Sequence, residues 1–414
     1  MKIAVMVNSL MSNTDGIARH ATYFSRELIS MGHQVTIWAV EYDKEHCELV
    51  NGLDVRSLRD FRRALFTSVR IPGLRMLAWL RSFQLVYRDQ MALFKSMSDG
   101  YQAVYACGNL IVWAAAEYKR KFGVPVVWMC DDFWPPVSEM SITPSTNWQK
   151  MKVFLKKLIS LPIKTYDLAA VKQLDEIAVL SELVRKKMAE YYGISPEVVR
   201  LGVNYERFTR GDGNWVKSHH PIPDRSFLLF TICSFMPRRR LEDVIRAIET
   251  LVAQGENITY LIAGRISSEP EYTRFIRAEV AARHLEERVL IIGEVQEDDL
   301  VNYYQACDVF IWPADENQSW GMAGTEAMAS GKPIIVCSAN GLSEILIDRV
   351  TGFVIPPRSP EMIALIIKQL LSDPALVRSV GKAGQRLICE NYTWRNNAQH
   401  MLSLSQPVTE AAWN

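Results

Sequence analysis

Hydrophobic and polar positions along this chain switch between two periods. Residues 3–7 form a continuous apolar run of the kind buried inside a parallel sheet; a polar loop reaches Gly16, and then Ile17, Ala21, Phe24 and Leu28 recur at helical spacing. Gly32 stops that helix and residues 34–40 supply a second strand, so the chain opens with a β-α-β unit. Further strands are predicted at 103–106, 124–130 and 176–180, with a helix at 112–121 between the first two. The stretch 212–223, with its Gly, Asn, His and Pro, reads as a linker.

From Ser226 the alternation starts again and is more regular. Strands are predicted at 227–233, 259–263, 289–292, 309–312 and 334–337. The helices between them lie at 241–252, 271–283 and 298–306, the first with Leu241, Val244, Ile245, Ile248, Leu251 and Val252 on one face. Such alternation predicts doubly wound, mostly parallel sheets that take ligands at the carboxyl ends of their strands. At 414 residues the chain exceeds what one core usually supports, which favours two α/β domains facing across a cleft. The expected partition is a first domain at 1–211 with a basic helical insertion near 56–100, a second at 224–391, and a C-terminal helix, 392–414, returning to the first.

The strongest candidate site follows the strand 309–312. There Trp320, Gly321, Met322, Ala323 and Gly324 lead through a small-residue turn into a short helix carrying one carboxylate, Glu326. A glycine-bearing turn at a helix start exposes backbone N–H groups, which together with the helix dipole favour a phosphate or sugar oxygen. One helical turn on, Glu326 could accept two hydrogen bonds from a vicinal diol such as a ribose.

Charge and cysteine usage narrow the class. The formal net charge is +1, so nothing global argues for nucleic acid. Seven scattered cysteines, without a CxxC pair, read as reduced core residues. The first apolar run is too short for a signal-peptide core, and no run approaches the length of a membrane span. A cytoplasmic protein is the expectation.

Several runs now carry a family likeness over nearly the whole length. They include Pro237-Arg238-Arg239-Arg240-Leu241-Glu242-Asp243, Ile291-Ile292-Gly293-Glu294-Val295, Glu326-Ala327-Met328-Ala329-Ser330-Gly331-Lys332-Pro333, Asn340-Gly341-Leu342-Ser343-Glu344, Gly32-His33-Gln34-Val35-Thr36 and Leu201-Gly202-Val203-Asn204. The chain resembles a group 1 (family 4) glycosyltransferase of the GT-B fold. That resemblance implies a hexosyltransferase with a nucleotide-diphosphate sugar held mainly by the second domain and an acceptor by the first. Transfer would retain the anomeric configuration and need no metal or other cofactor. Physically, the leaving diphosphate must be stabilised as the sugar gains oxocarbenium character, which cations and backbone donors can do.

The resemblance assigns residues one by one. Arg239 falls where the family has its phosphate-binding lysine, with Arg238 and Arg240 beside it; cations at a helix start oppose the macrodipole, which argues for an anion there. Gln318 stands where the family usually has a second glutamate touching the donor sugar, with Glu316 two residues ahead; it can hydrogen-bond hydroxyls but carries no charge. Ser319, Trp320, Gly321 and Met322 would offer backbone N–H groups, the Trp320 side chain itself reading first as a packing group. Gly16 matches the loop whose amides face the donor phosphate. Asp131 and Cys107 replace histidines frequent in the family. Asp131 could bond a sugar hydroxyl or act as base toward the acceptor, the latter also permitting inversion. The pair Asp131 and Asp132 lacks the companions of a metal site. Glu344 resembles the acidic residue at the donor rim, or is a helix-start carboxylate. His20, His33 and His284 read as structural.

Two stretches bear on the acceptor. Residues 56–95 hold nine basic side chains against two acidic ones, and 150–164 hold five lysines and no acid, both interleaved with apolar residues. Basic amphipathic helices of this kind attract anionic lipid, pointing to a peripheral protein on the cytoplasmic face and a lipid-linked glycan or glycolipid acceptor; ordinary surface helices are the other reading. Synthesis of cell-surface polysaccharide or glycolipid is the role implied. A catalytically silent GT-B protein that binds a nucleotide sugar, or a GT-B sugar-nucleotide epimerase, would share the fold.

Overall fold

The structure is a computed structural model that describes residues 1–11, 16–60, 72–131, 133, 161, 163–315 and 319–405; within the helix Pro72–Ser96 the side chains of 72–80 and 82 are not described. The chain divides into two compact units. The first comprises Met1–Val179, Arg185–Val199 and Ala398–Asn414, and the second Leu180–Val184 and Arg200–Asn397.

The first unit is built on seven parallel strands: β1 (Lys2–Leu10), β2 (Gln34–Tyr42), β3 (Asp54–Asp60), β4 (Ala103–Cys107), β5 (Val126–Cys130), β6 (Glu176–Val179) and β7 (Glu197–Val198). Their order is β3-β2-β1-β4-β5-β6-β7, with Met6 of β1 opposite Trp38 on one side and Ala106 on the other. Helices cover both faces of a doubly wound sheet, so its central strands are apolar at successive positions rather than alternate ones. Residues 3–7 and 103–107 are buried accordingly. The order reverses between β1 and β4, which puts the ends of β1, β4 and β5 beside the start of the helix Gly16–Ser30.

The second unit has six parallel strands: β8 (Phe227–Ile232), β9 (Ile258–Ala263), β10 (Val289–Gly293), β11 (Val309–Trp312), β12 (Ile334–Cys337) and β13 (Phe353–Ile355), in the order β10-β9-β8-β11-β12-β13. Here the reversal lies between β8 and β11. A sheet of this topology binds ligands at that switch point, where the basic turn after β8 and the small-residue turn after β11 both emerge.

Three expectations are corrected. The supposed linker contains a helix, Gly213–His219, which the Asp212 side chain caps by accepting from Asn214 N at 2.9 Å. Residues 200–211, expected in the first domain, belong to the second unit. Glycine explains both errors, because here it marks close packing. A Cβ on Gly211 would lie 2.5 Å from Val301 O, one on Gly213 2.9 Å from Ala306 Cα and one on Gly202 2.2 Å from Trp394 N. Finally, the basic stretch does not begin as a helix: its first residues form β3, where Arg56 stacks on Trp38 and Arg59 bonds Glu41 and Asp89. The stretch 150–164 lies outside the described residues save for Leu161, Ile163 and Lys164.

Gly264 joins the ends of three strands in the second unit. Its N–H donates to Gly293 O at 2.7 Å, its φ is +120°, and a Cβ would sit 1.9 Å from Cys233 O. Gly264→Ala should therefore cost about 3 kcal/mol through strain and overlap, read as a lower denaturation midpoint.

Candidate active site

Two elements meet at the switch point of the second unit. After β8 the chain passes Cys233 and enters a short 3-10 turn, Pro237–Arg239. Burial pushes the Cys233 thiol up to about 11, while the nearby charges of Arg239 and Arg238 pull it down, so both cations stand close to the end of β8. The Arg239 guanidinium lies 5.0 Å from the centre of the Trp312 ring at the end of β11. A cation over an indole face is held by the ring quadrupole. The same ring borders Gly321, whose φ of +104° opens the helix Met322–Ala329 without a side-chain cap and where a Cβ would stand 3.6 Å from the indole. Trp312 thus brings Arg239 and an uncapped helix start, with its outward N–H groups, to one place.

Glu326 sits on that helix and is only 2% exposed. Its Oε2 accepts from the Tyr304 hydroxyl at 2.8 Å. The tyrosine is fixed in turn by Phe208, Phe230 and Phe310, whose ring centres lie 5.5–5.7 Å from its own. The sequence assigns no role to either Trp312 or Tyr304, which fall at the end of the strand 309–312 and within the helix 298–306. The helix packs closely on the segment Gly341–Ile345, a Cβ on Gly324 falling 2.3 Å from Leu342 Cδ2.

Other expected donor residues have different surroundings. Arg240 has φ +54° and turns its guanidinium inward, 2.7 Å from Glu242, 2.8 Å from Asp243 and 3.8 Å from Asp315. Burial disfavours its charge, but the bond to Asp243 and the charges of Glu242, Asp243 and Asp315 outweigh that and hold its pKa above the ordinary value. Arg240 is therefore separated from Arg238 and Arg239: it locks the turn, and its guanidinium is already committed to three carboxylates. Ser319 and Trp320 are buried, with Trp320 against Tyr392 at 5.5 Å and beneath Arg200 at 5.7 Å; the indole is a packing group, while Met322 is half-buried at the helix start. Gln318 and Glu316 lie outside the described residues.

Glu344 is a helix-start carboxylate. It accepts from the N–H groups of Glu182 and Leu183, each at 2.9 Å, and from Arg200 Nη2 at 2.9 Å. The two amides are orphan donors at the start of the helix Glu182–Tyr192, so the carboxylate satisfies them and complements the dipole.

In the first unit, Gly16 is exposed at the start of its helix. Asp131 follows β5 and faces His20 of that helix, Oδ1 to Nδ1 at 2.9 Å. Cys107, at the end of β4, is close enough that the Asp131 charge adds to burial in raising its thiol well above the usual range. The structure thus brings His20 to Asp131, a pairing hidden in the sequence by more than a hundred intervening residues. Asp132 is outside the described residues, and among those described no three His, Cys, Asp or Glu side chains converge to hold a metal ion.

Known proteins place this architecture. The family model described as Glycosyl transferases group 1 matches residues 216–387, and that of Glycosyltransferase Family 4 matches 14–207. Together they take in most of the chain, which belongs to the group 1 (family 4) glycosyltransferases. An uncharacterised glycosyltransferase of Methanocaldococcus jannaschii is 22% identical over 95% of both chains. A D-inositol 3-phosphate glycosyltransferase of Saccharomonospora viridis is 25% identical over 58% of this chain and 57% of its own length. Among solved structures, Anabaena HepE in complex with UDP and glucose superposes with a TM-score of 0.74 at 15% identity, covering 97% of this chain and 98% of that one. The fold is GT-B.

Replacing Glu344 separates its two readings. Glu344→Ala should lower stability by about 1–3 kcal/mol, the cost of leaving charged or buried partners unpaired, while nucleotide affinity by calorimetry stays unchanged; a large loss of affinity in a stable variant would return Glu344 to the donor site.

Proposed function

We propose that this chain is a retaining, metal-independent hexosyltransferase that moves a sugar from a nucleotide diphosphate to a glycan or lipid-linked acceptor in the synthesis of cell-surface polysaccharide or glycolipid. The observation that carries this reading is the meeting of Arg239 and the uncapped helix start at Trp312, with Glu326 one turn further on. In the proposed chemistry Arg239 and Arg238, with the N–H groups around Gly321, stabilise charge on the departing diphosphate. Glu326 orients the nucleotide through a ribose hydroxyl, and Gln318 bonds the transferred sugar. The complex of HepE with UDP and glucose supports a nucleoside-diphosphate ligand for a fold of this shape. Asp131 of the first unit would contact a sugar hydroxyl.

A screen of UDP-, GDP- and ADP-hexoses by thermal shift, followed by donor hydrolysis, tests this directly. A true donor at a hundred times its Kd should stabilise the protein by about 2.7 kcal/mol, and Arg239→Ala should lower kcat/KM by roughly 10²–10³ in a variant that still folds. Tight binding with no turnover in the presence of lipid-linked and glycan acceptors would favour a silent nucleotide-sugar-binding protein instead.

The lipid acceptor has its own support. Along the helix Pro72–Ser96 the exposed positions Arg81, Leu85, Arg88, Ala92 and Lys95 recur at one face, and Tyr87 is also exposed. Each cation near an anionic surface contributes about 1 kcal/mol. The protein should co-sediment with phosphatidylserine vesicles and not with neutral ones, and Arg81→Glu with Arg88→Glu should abolish that; indifference to vesicle charge would remove the membrane from the proposal.

A further inference from the structure

His20 is 1% exposed, while the Asp131 side chain facing it is 15% exposed. The histidine is therefore wholly interior and the carboxylate reaches the surface at the carboxyl end of β5, the edge of a doubly wound sheet where ligands bind. His20 stands four residues after Gly16, on the same face of the helix whose start borders that edge. Its ring is set by Phe24, 6.1 Å away, which packs edge-on against Tyr105 of β4 at 5.0 Å. Cys107, on the same strand, is close enough to Asp131 to feel its charge. The helix, β4 and the end of β5 thus enclose the pair before any ligand arrives. A carboxylate oxygen offers only lone pairs, so the contact at 2.9 Å is favourable with the hydrogen on Nδ1.

We infer that His20 is a positioning residue for glycosyl transfer: it holds the Asp131 carboxylate in one orientation at the rim of the first unit's sheet, aimed at a hydroxyl of the reacting sugars. The inference rests on the role proposed above for Asp131. An apolar side chain of similar volume would fill this interior position without the burden of burying a polar ring, and pairs of this kind are often replaceable at no loss of stability. What an apolar substitute cannot do is fix a carboxylate that is partly in water. Misplacement by about 1 Å of a group acting on the reacting atoms lowers the rate by as much as roughly a hundredfold.

The test uses the donor hydrolysed fastest in the hexose panel and three variants of the full chain, each checked for folding by its thermal transition. His20→Phe keeps the volume and removes the donor; kcat should fall roughly 10- to 100-fold, with the Kd for the free nucleoside diphosphate within about twofold of the parent value, since that ligand needs no oriented carboxylate. His20→Asn places an amide N–H near the position of Nδ1 and should recover most of the lost kcat. Asp131→Asn should lower kcat at least as far, and its combination with His20→Phe should cost no more than Asp131→Asn alone, because two residues acting through one contact are not additive. Full kcat in His20→Phe, full kcat in Asp131→Asn, or losses that multiply in the double variant would each overturn the inference. If His20→Phe does not fold, His20→Asn carries the test, and a kcat as low as that of Asp131→Asn overturns it. Absence of turnover by the parent chain with any donor would sink the reading of function and this one with it, whereas the variant results bear on His20 alone.

Discussion

A carboxyl group placed at 2% exposure on a helix of small residues has to find a donor inside the protein, and the Tyr304 hydroxyl is that donor for Glu326. Much of the second unit's site follows from meeting this demand. The tyrosine is held by three phenylalanines from the segment Tyr205–Phe208, β8 and β11, so the core that stabilises the sheet also fixes the acid. Gly324 lets the helix lie against Leu342, and Gly321 lets the preceding turn pass over Trp312. That indole then carries Arg239. Packing and site are one arrangement here.

The first unit solves a related problem differently. Asp167 is buried among aromatics with Trp113 Nε1 donating at 2.8 Å and the Tyr192 hydroxyl bonding its other oxygen. Burial raises its pKa against both bonds. Its work is to tie the helices of one face. Asp131, by contrast, keeps part of its surface outside and faces the buried His20 of the helix Gly16–Ser30. Exposure, more than residue type, distinguishes Asp167 from Asp131, for which contact with a sugar hydroxyl is proposed.

Much of the fold could be read from the chain because the signals are local. The buried strands are unbroken apolar runs, and the predicted limits of β11 and β12 coincide with those observed. The motif around Glu326 was visible for the same reason. What escaped was non-local. Tyr304 is 22 residues from Glu326, and His20 reaches Asp131 through the topology of the sheet rather than through spacing. Arg240 looked equivalent to Arg238 and Arg239, yet one left-handed residue turns its side chain toward Glu242 and Asp243. β3 was hidden inside a basic stretch because its outward charges are paired across strands, Arg59 with Glu41, and such pairing leaves no periodicity in a single segment. Gly213 reads in the sequence as part of a loose connection, yet it, like Gly202 and Gly211, lets backbones touch.

The chain passes from one unit to the other four times: after Val179, after Val184, after Val199 and after Asn397. Two of those passages fall within helices, Glu182–Tyr192 and Trp394–Leu404. No single cut therefore yields two whole halves. A fragment ending before Arg200 forfeits the C-terminal residues that meet Tyr105, Ser405 Oγ lying 2.8 Å from its hydroxyl. One starting at Arg200 loses the amides of Glu182 and Leu183 that Glu344 holds. Recombining this protein's specificity by exchanging halves with a relative means grafting interrupted segments, and a junction placed by eye in the stretch after residue 211 would run through the helix Gly213–His219.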